Sequence, residues 1–105
     1  MLVVNRFREA ADGGGRLRAD LERAHALLAA RPGYVDGQVG RNLDDPGLWV
    51  LVTRWESVGA YRRALSSYEI KAEAVPVLSA AIDEPSAYEP VESDAVLNVH
   101  ASRVT

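Results

Sequence analysis

Residues 48–55 read LWVLVTRW. The run is short, rich in β-branched and aromatic residues, and preceded by the turn-forming DDPG at 44–47. That is the composition of a β-strand. Side chains along a strand alternate between its two faces. One face then carries Trp49, Leu51, Thr53 and Trp55, and the other Leu48, Val50, Val52 and Arg54. Both faces are mostly apolar, so something has to cover each of them.

The flanking sequence supplies cover for one face. LVVNRFR at 2–8 reads as a first strand, with Val3, Asn5 and Phe7 on one side and Leu2, Val4, Arg6 and Arg8 on the other. ADGGG at 11–15 is a loop; it has neither GxGxxG spacing nor a GK[ST] ending and reads as a flexible turn rather than a phosphate cradle. Leu17, Leu21, Ala24 and Leu28 recur at helical spacing within 16–31, and Pro32-Gly33 ends that helix. YVDGQVGRN at 34–42 is a second strand whose Gly37 and Gly40 suggest a bulge or a close backbone approach. After the strand at 48–55, Ser57 is a natural N-cap for a short helix that turns Val58, Tyr61 and Leu65 inward. A further helix, capped by Ser66 or Ser67, runs to about Ile82, with Pro76 expected to kink or break it. SAYEPVE at 86–92 is a fourth strand, and its Pro90 places it at an edge or at a bulge. The tail at 95–104 is a fifth strand, an arm onto a partner, or loose.

The order β-α-β-β-α-β is the ferredoxin-like split unit, an α+β fold with a four-stranded antiparallel sheet and helices on one face. Residues 1–92 form the domain and 93–105 its tail. Two helices cover only one face. Burying a Val or Leu is worth about 1.5–3 kcal/mol, so three such residues on the open face of one strand amount to roughly 5–9 kcal/mol. A small domain is stable by only about 5–15 kcal/mol. The expected cover is the same face of a second copy, because two-fold dimers bury identical patches.

Composition narrows the partners. The chain of 105 residues is long enough for one core; it carries a net charge of −3 and no Lys/Arg run, which argues against nucleic acid. It has no cysteine, so disulfides and thiol chemistry are excluded. No apolar run approaches the roughly 20 residues of a membrane span, and MLVVNRFREA lacks the pattern of a signal peptide. A cytoplasmic location is therefore expected.

The β-α-β-β-α-β order, PGY at 32–34 and DDPGLWVLVTRWESVGAYRRAL at 44–65 resemble the antibiotic biosynthesis monooxygenase domain, of the dimeric α+β barrel superfamily. The resemblance covers residues 1 to about 92, and its most specific piece runs from Trp55 to Tyr61. It implies dimers whose sheets close a barrel. It also implies one of several activities: oxygenation of phenols or quinols without metal or flavin, haem binding and degradation, or action on signalling quinones.

Asn5 and Trp55 are the leading pair for chemistry. Asn5 is a polar amide in an apolar row, and such a group needs a partner when buried. A ligand oxygen or nearby backbone could fill that role, while Trp55 either walls a pocket or fills core. By resemblance both match the haem-degrading branch. Tyr61, six residues after Trp55, matches an aromatic of the cofactor-free branch and could hydrogen-bond a substrate oxygen or simply pack. Phe7 and Tyr68 complete the expected substrate-binding set. The departures are specific. Ala64 and Leu65 stand where the haem-degrading branch has its axial His, leaving only a Tyr as ligand. Leu51 replaces an Asn of the cofactor-free branch, and Val75-Pro76 stand where that branch has an Arg. His25 and His100 read as incidental, and with no Cys they make no metal site. Asp44-Asp45 are turn formers, Glu56 faces solvent or an Arg, and no GxSxG elbow is present.

The reading is a cofactor-independent monooxygenase acting with O₂ on a flat phenol or quinol. The alternatives are a haem-handling or non-catalytic binding dimer of the same fold, and a dimer whose pocket is filled by its own side chains.

Overall fold

The structure, a computed structural model, describes residues 1–10, 15–92 and 96–97. Most of the glycine loop (11–14), most of the tail, and His100 with it, lie outside the described residues. The elements are β1 (Leu2–Arg8), α1 (Arg16–Ala29), β2 (Tyr34–Arg41), β3 (Leu48–Trp55), α2 (Val58–Ser66), a π-helical turn (Ile70–Ala74) running into α3 (Val75–Leu78), and β4 (Ala87–Tyr88). The sheet is antiparallel in the order β2-β3-β1-β4. This is the expected split β-α-β-β-α-β arrangement. Among the described residues no helix is long and apolar enough to cross a membrane.

Burial along β3 follows the parity of its sequence. Trp49, Leu51, Thr53 and Trp55 are buried, while Leu48, Val50 and Val52 are only half-buried and Arg54 is exposed. The buried side joins Val3 and Phe7 of β1 to Leu21, Ala24 and Leu28 of α1, Ala60 and Ala64 of α2, and Ile70 and Ala74 of the π turn. The other side is an apolar strip of Leu2, Val4, Val52, Val50 and Leu48. No described helix covers it. Ion pairs flank this strip: Arg54 with Asp36, Arg6 with Glu84, and Arg8 with Asp45. In each pair the hydrogen bond from the arginine is the main influence holding the carboxyl below its usual range.

Three elements differ from expectation. The helix expected to reach Ile82 ends at Leu78; the break expected at its proline is present, as the π turn running into α3. Pro76 has no N–H to donate and sits in the first turn of α3, where that loss is tolerated. The preceding turn widens so that the Val75 N–H reaches back to the Ile70 carbonyl. The fourth strand is two residues rather than seven. It lies at the sheet edge, and Pro90 falls beyond its end. The β2 irregularity is at Val35, where the pairing with β3 shifts between Tyr34 and Asp36, and not at a glycine. Gly37 marks a close approach instead, since a Cβ there would lie 2.6 Å from the Val52 carbonyl oxygen.

Gly33 locks the corner between α1 and β2 to α2. Its φ is +88°, in the left-handed region, and a Cβ would meet the Ala60 Cβ at 2.4 Å. Its carbonyl accepts the Glu56 N–H at 2.8 Å, just before α2 begins. Gly33→Ala is expected to lower stability by about 2–4 kcal/mol, combining left-handed strain with forced displacement of α2. A urea denaturation midpoint reads this directly; a midpoint equal to wild type would contradict it.

Candidate functional site

Asn5 and Trp55 come from neighbouring strands. β1 pairs with β3 so that Asn5 lies opposite Leu51, with Phe7 opposite Trp49 and Val3 opposite Thr53. All of these point under the helices. The Ser57 hydroxyl accepts the Ala60 N–H at 3.0 Å and fixes the start of α2. That start sets Tyr61 over Trp55, with ring centroids 5.3 Å apart. Burial raises the pKa of the Tyr61 phenol, and the nearby Asn5 amide works in the opposite direction. The amide of β1 and the phenol of α2 are thus neighbours, and both are half-buried.

Trp55 itself is 2% exposed. Its indole N–H donates to the Thr53 hydroxyl at 2.9 Å. The one polar atom of Trp55 is therefore used inside the chain, and only its ring can face a ligand. Phe7 is 1% exposed and forms part of the packed floor. Tyr68 is 86% exposed. It stands between α2 and the π turn, away from the other four.

A second pair was not legible as a site. The Tyr34 hydroxyl lies 2.6 Å from His25 Nε2, and the Tyr34 ring meets Trp55 edge-on at 5.6 Å. Burial, and secondarily the charge of Asp36, raise the phenol's pKa. Gly37 was the signal. A Cβ there would come within 2.9 Å of both His25 Nε2 and the Tyr34 hydroxyl.

The clefts on the described residues include three of several hundred cubic ångströms. One of about 460 Å³ is lined by Arg18, Glu22, His25, Gln38, Arg41 and Trp49, among others. Arg41 lies over the Trp49 ring at 5.2 Å and donates to the Pro46 carbonyl. The buried Trp49 indole N–H has no partner among the described residues. The other two, of about 350 and 320 Å³, lie beside β4 and at the end of the open sheet face. Asn5, Phe7, Trp55 and Tyr61 line none of these three.

A family model for antibiotic biosynthesis monooxygenases matches residues 1–74, which include the first three strands, α1, α2 and the Asn5–Trp55–Tyr61 cluster. The chain belongs to the antibiotic biosynthesis monooxygenase family. Solved structures with this fold agree. SnoaB, a cofactor-independent oxygenase from Streptomyces nogalater, is 24% identical over 89% of this chain and 94% of its own, with a TM-score of 0.70. Rv0793 from Mycobacterium tuberculosis is 21% identical over 90% and 97%, with a TM-score of 0.67. PA3566 from Pseudomonas aeruginosa is 14% identical over 86% and 93%, with a TM-score of 0.65. At these identities the likeness establishes the fold. No curated protein matches the chain.

Among the described residues no histidine reaches the Asn5–Trp55–Tyr61 cluster as a haem ligand would. Ala64 is buried core and Leu65 packs against that core, so neither position offers an imidazole. His25 is engaged with Tyr34 and separated from the cluster by the Tyr34 and Trp55 rings. Among the described residues no three His, Asp or Glu side chains are grouped to hold a metal ion.

The Thr53–Trp55 bond gives a direct test of how the cluster is held. Thr53→Val keeps the shape and leaves a buried indole N–H unsatisfied. The expected loss is about 1–3 kcal/mol in urea unfolding. Unchanged stability would show that the hydroxyl does not anchor the ring.

Proposed function

We propose that this chain is a cofactor-independent monooxygenase whose substrate is a flat, acidic phenol, quinol or anthrone. The observation that carries the reading is the placing of the Asn5 amide and the Tyr61 phenol together beside the Trp55 ring. It sets two polar side chains at the edge of an otherwise apolar, aromatic shell. The family, and SnoaB as a cofactor-independent oxygenase of the same fold, support the same chemistry.

In this reading Asn5 and Tyr61 both turn to the substrate oxygen. Their N–H and O–H donors stabilise the anion that forms when the substrate loses a proton. Trp55 presents its ring as the wall against which the flat substrate lies, and Phe7 backs it. The four residues include no base, so the substrate must be acidic enough to ionise to water. The anion then reacts with O₂ directly. For an anthrone, one oxygen atom becomes the new carbonyl, and the other leaves as water with the two methylene hydrogens. The protein's share is orientation, exclusion of water and charge stabilisation. Tyr68, at the surface, joins this site only if substrate extends past α2. A second copy packed on the Leu2–Val4–Leu48–Val50–Val52 strip completes the molecule as a two-fold dimer, with the three flanking ion pairs at its rim.

A binding dimer without turnover is the competing reading. It is favoured by the placing of the three clefts elsewhere. Aerobic conversion of a reduced anthrone, followed by absorbance, decides between them. Turnover is expected in the wild type. Asn5→Ala is expected to lower kcat/KM about 10²-fold, as loss of one anion-stabilising donor does. Trp55→Phe is expected to lower it less. Absence of turnover, or equal rates in both variants and wild type, would overturn the oxygenase reading.

A further inference from the structure

We propose that Tyr61, Trp55, Tyr34 and His25 form a relay. It carries a one-electron oxidising equivalent from the Asn5–Tyr61 site to the α1 side of the chain, with Tyr34 as the terminal radical and His25 as acceptor of its proton. The ring centroids are 5.3, 5.6 and 5.8 Å apart in that order. These are contact distances for aromatic pairs, so no step crosses a gap.

The rings differ in what they can do with a proton. Trp55 donates its N–H to the Thr53 hydroxyl in a buried setting. A hydroxyl is a poor base, so an oxidised Trp55 keeps its proton and remains a strong oxidant. Tyr34 is paired instead with an imidazole nitrogen at 2.6 Å. Its phenol holds its proton in the resting protein, because burial and the Asp36 charge disfavour the phenolate. It can therefore donate to Nε2. When Trp55 is oxidised, one electron passes from Tyr34 to Trp55. The Tyr34 O–H bond breaks, and its proton goes to His25 Nε2. Neutral Trp55, a Tyr34 phenoxyl and a His25 imidazolium result, with the total charge unchanged.

The pair occupies a built site. Gly37 leaves the space that any side chain would take from His25 Nε2, the Tyr34 hydroxyl and the Val52 carbonyl. His25 also lines the 460 Å³ cleft, which gives its proton a route to water. The oxidant is a peroxyl radical, formed when an electron-rich aromatic anion gives one electron to O₂ and the aromatic radical left behind adds a second O₂. It takes one electron from Trp55 across the Tyr61 ring and becomes a hydroperoxide anion, which takes its proton from water. The relay would protect the oxygen-handling end of the core, but its existence does not depend on turnover.

Flash oxidation tests it without substrate. Tyr68 and Tyr88 are 86% and 50% exposed and would react with any external oxidant. The experiment therefore uses the chain carrying Tyr68→Phe and Tyr88→Phe. Photo-oxidised ruthenium tris-bipyridine, with persulfate as electron acceptor, is the probe, and freeze-quenched electron paramagnetic resonance is the readout. A tyrosyl radical is expected, retained when Tyr61→Phe is added and lost when Tyr34→Phe is added. Phenylalanine keeps the ring contacts at both positions. His25→Gln is expected to replace the tyrosyl signal with a tryptophanyl one. A tyrosyl signal unchanged by Tyr34→Phe, or unchanged in yield and lifetime by His25→Gln, would overturn the relay. Either outcome leaves the oxygenase reading to stand or fall on anthrone turnover.

Discussion

A sheet that is apolar on both sides and roofed on only one is the constraint on which this molecule depends. β3 carries Trp49, Leu51, Thr53 and Trp55 into the core and Leu48, Val50 and Val52 away from it. α1, α2 and the Ile70–Leu78 segment contribute to the core on the first side. On the second, the apolar strip is bordered by arginines that already have carboxylate partners within the chain. Such a border matters energetically. A second apolar surface could approach the strip without desolvating an unpaired charge, which is the costly event at an interface. The face thus combines a reason to be covered with little electrostatic resistance to being covered.

The same parity builds the candidate site. Because the covered face of β3 ends in Trp55, the last ring of the core also borders Tyr34 on β2 and Tyr61 on α2. Trp55 is core and, in the proposed site, also wall; Thr53 two residues earlier supplies the hydroxyl that holds its indole. Asn5, two residues from Phe7 on the same side of β1, brings the amide to the edge of this aromatic group. Fold stability and site geometry therefore rest on overlapping residues.

Much of this was legible in the sequence because it depends on local rules. Two-residue alternation in LWVLVTRW shows which side chains share a face. The α1 stripe of Leu21, Ala24 and Leu28 became buried core, and Ser57 capped α2 as its position implied. What was not legible depends on contacts distant in sequence. The length of β4 is decided by how far Leu2 and Val3 can pair with Ala87 and Tyr88. The π turn is the backbone's adjustment ahead of Pro76. Tyr68 looked like part of the substrate-binding set, but it falls at the junction after α2 and points to the surface. The His25–Tyr34 pair joins a helix to a strand across the α1–β2 corner; only Gly37, read as a close approach, hinted that something needed the space.

The mass of the particle in solution tests the central claim most directly. Light scattering coupled to size-exclusion chromatography at micromolar concentration is expected to report two chains per particle. A compact single chain, with Val4, Val50 and Val52 facing water, would contradict the account of the open face and the dimer built upon it.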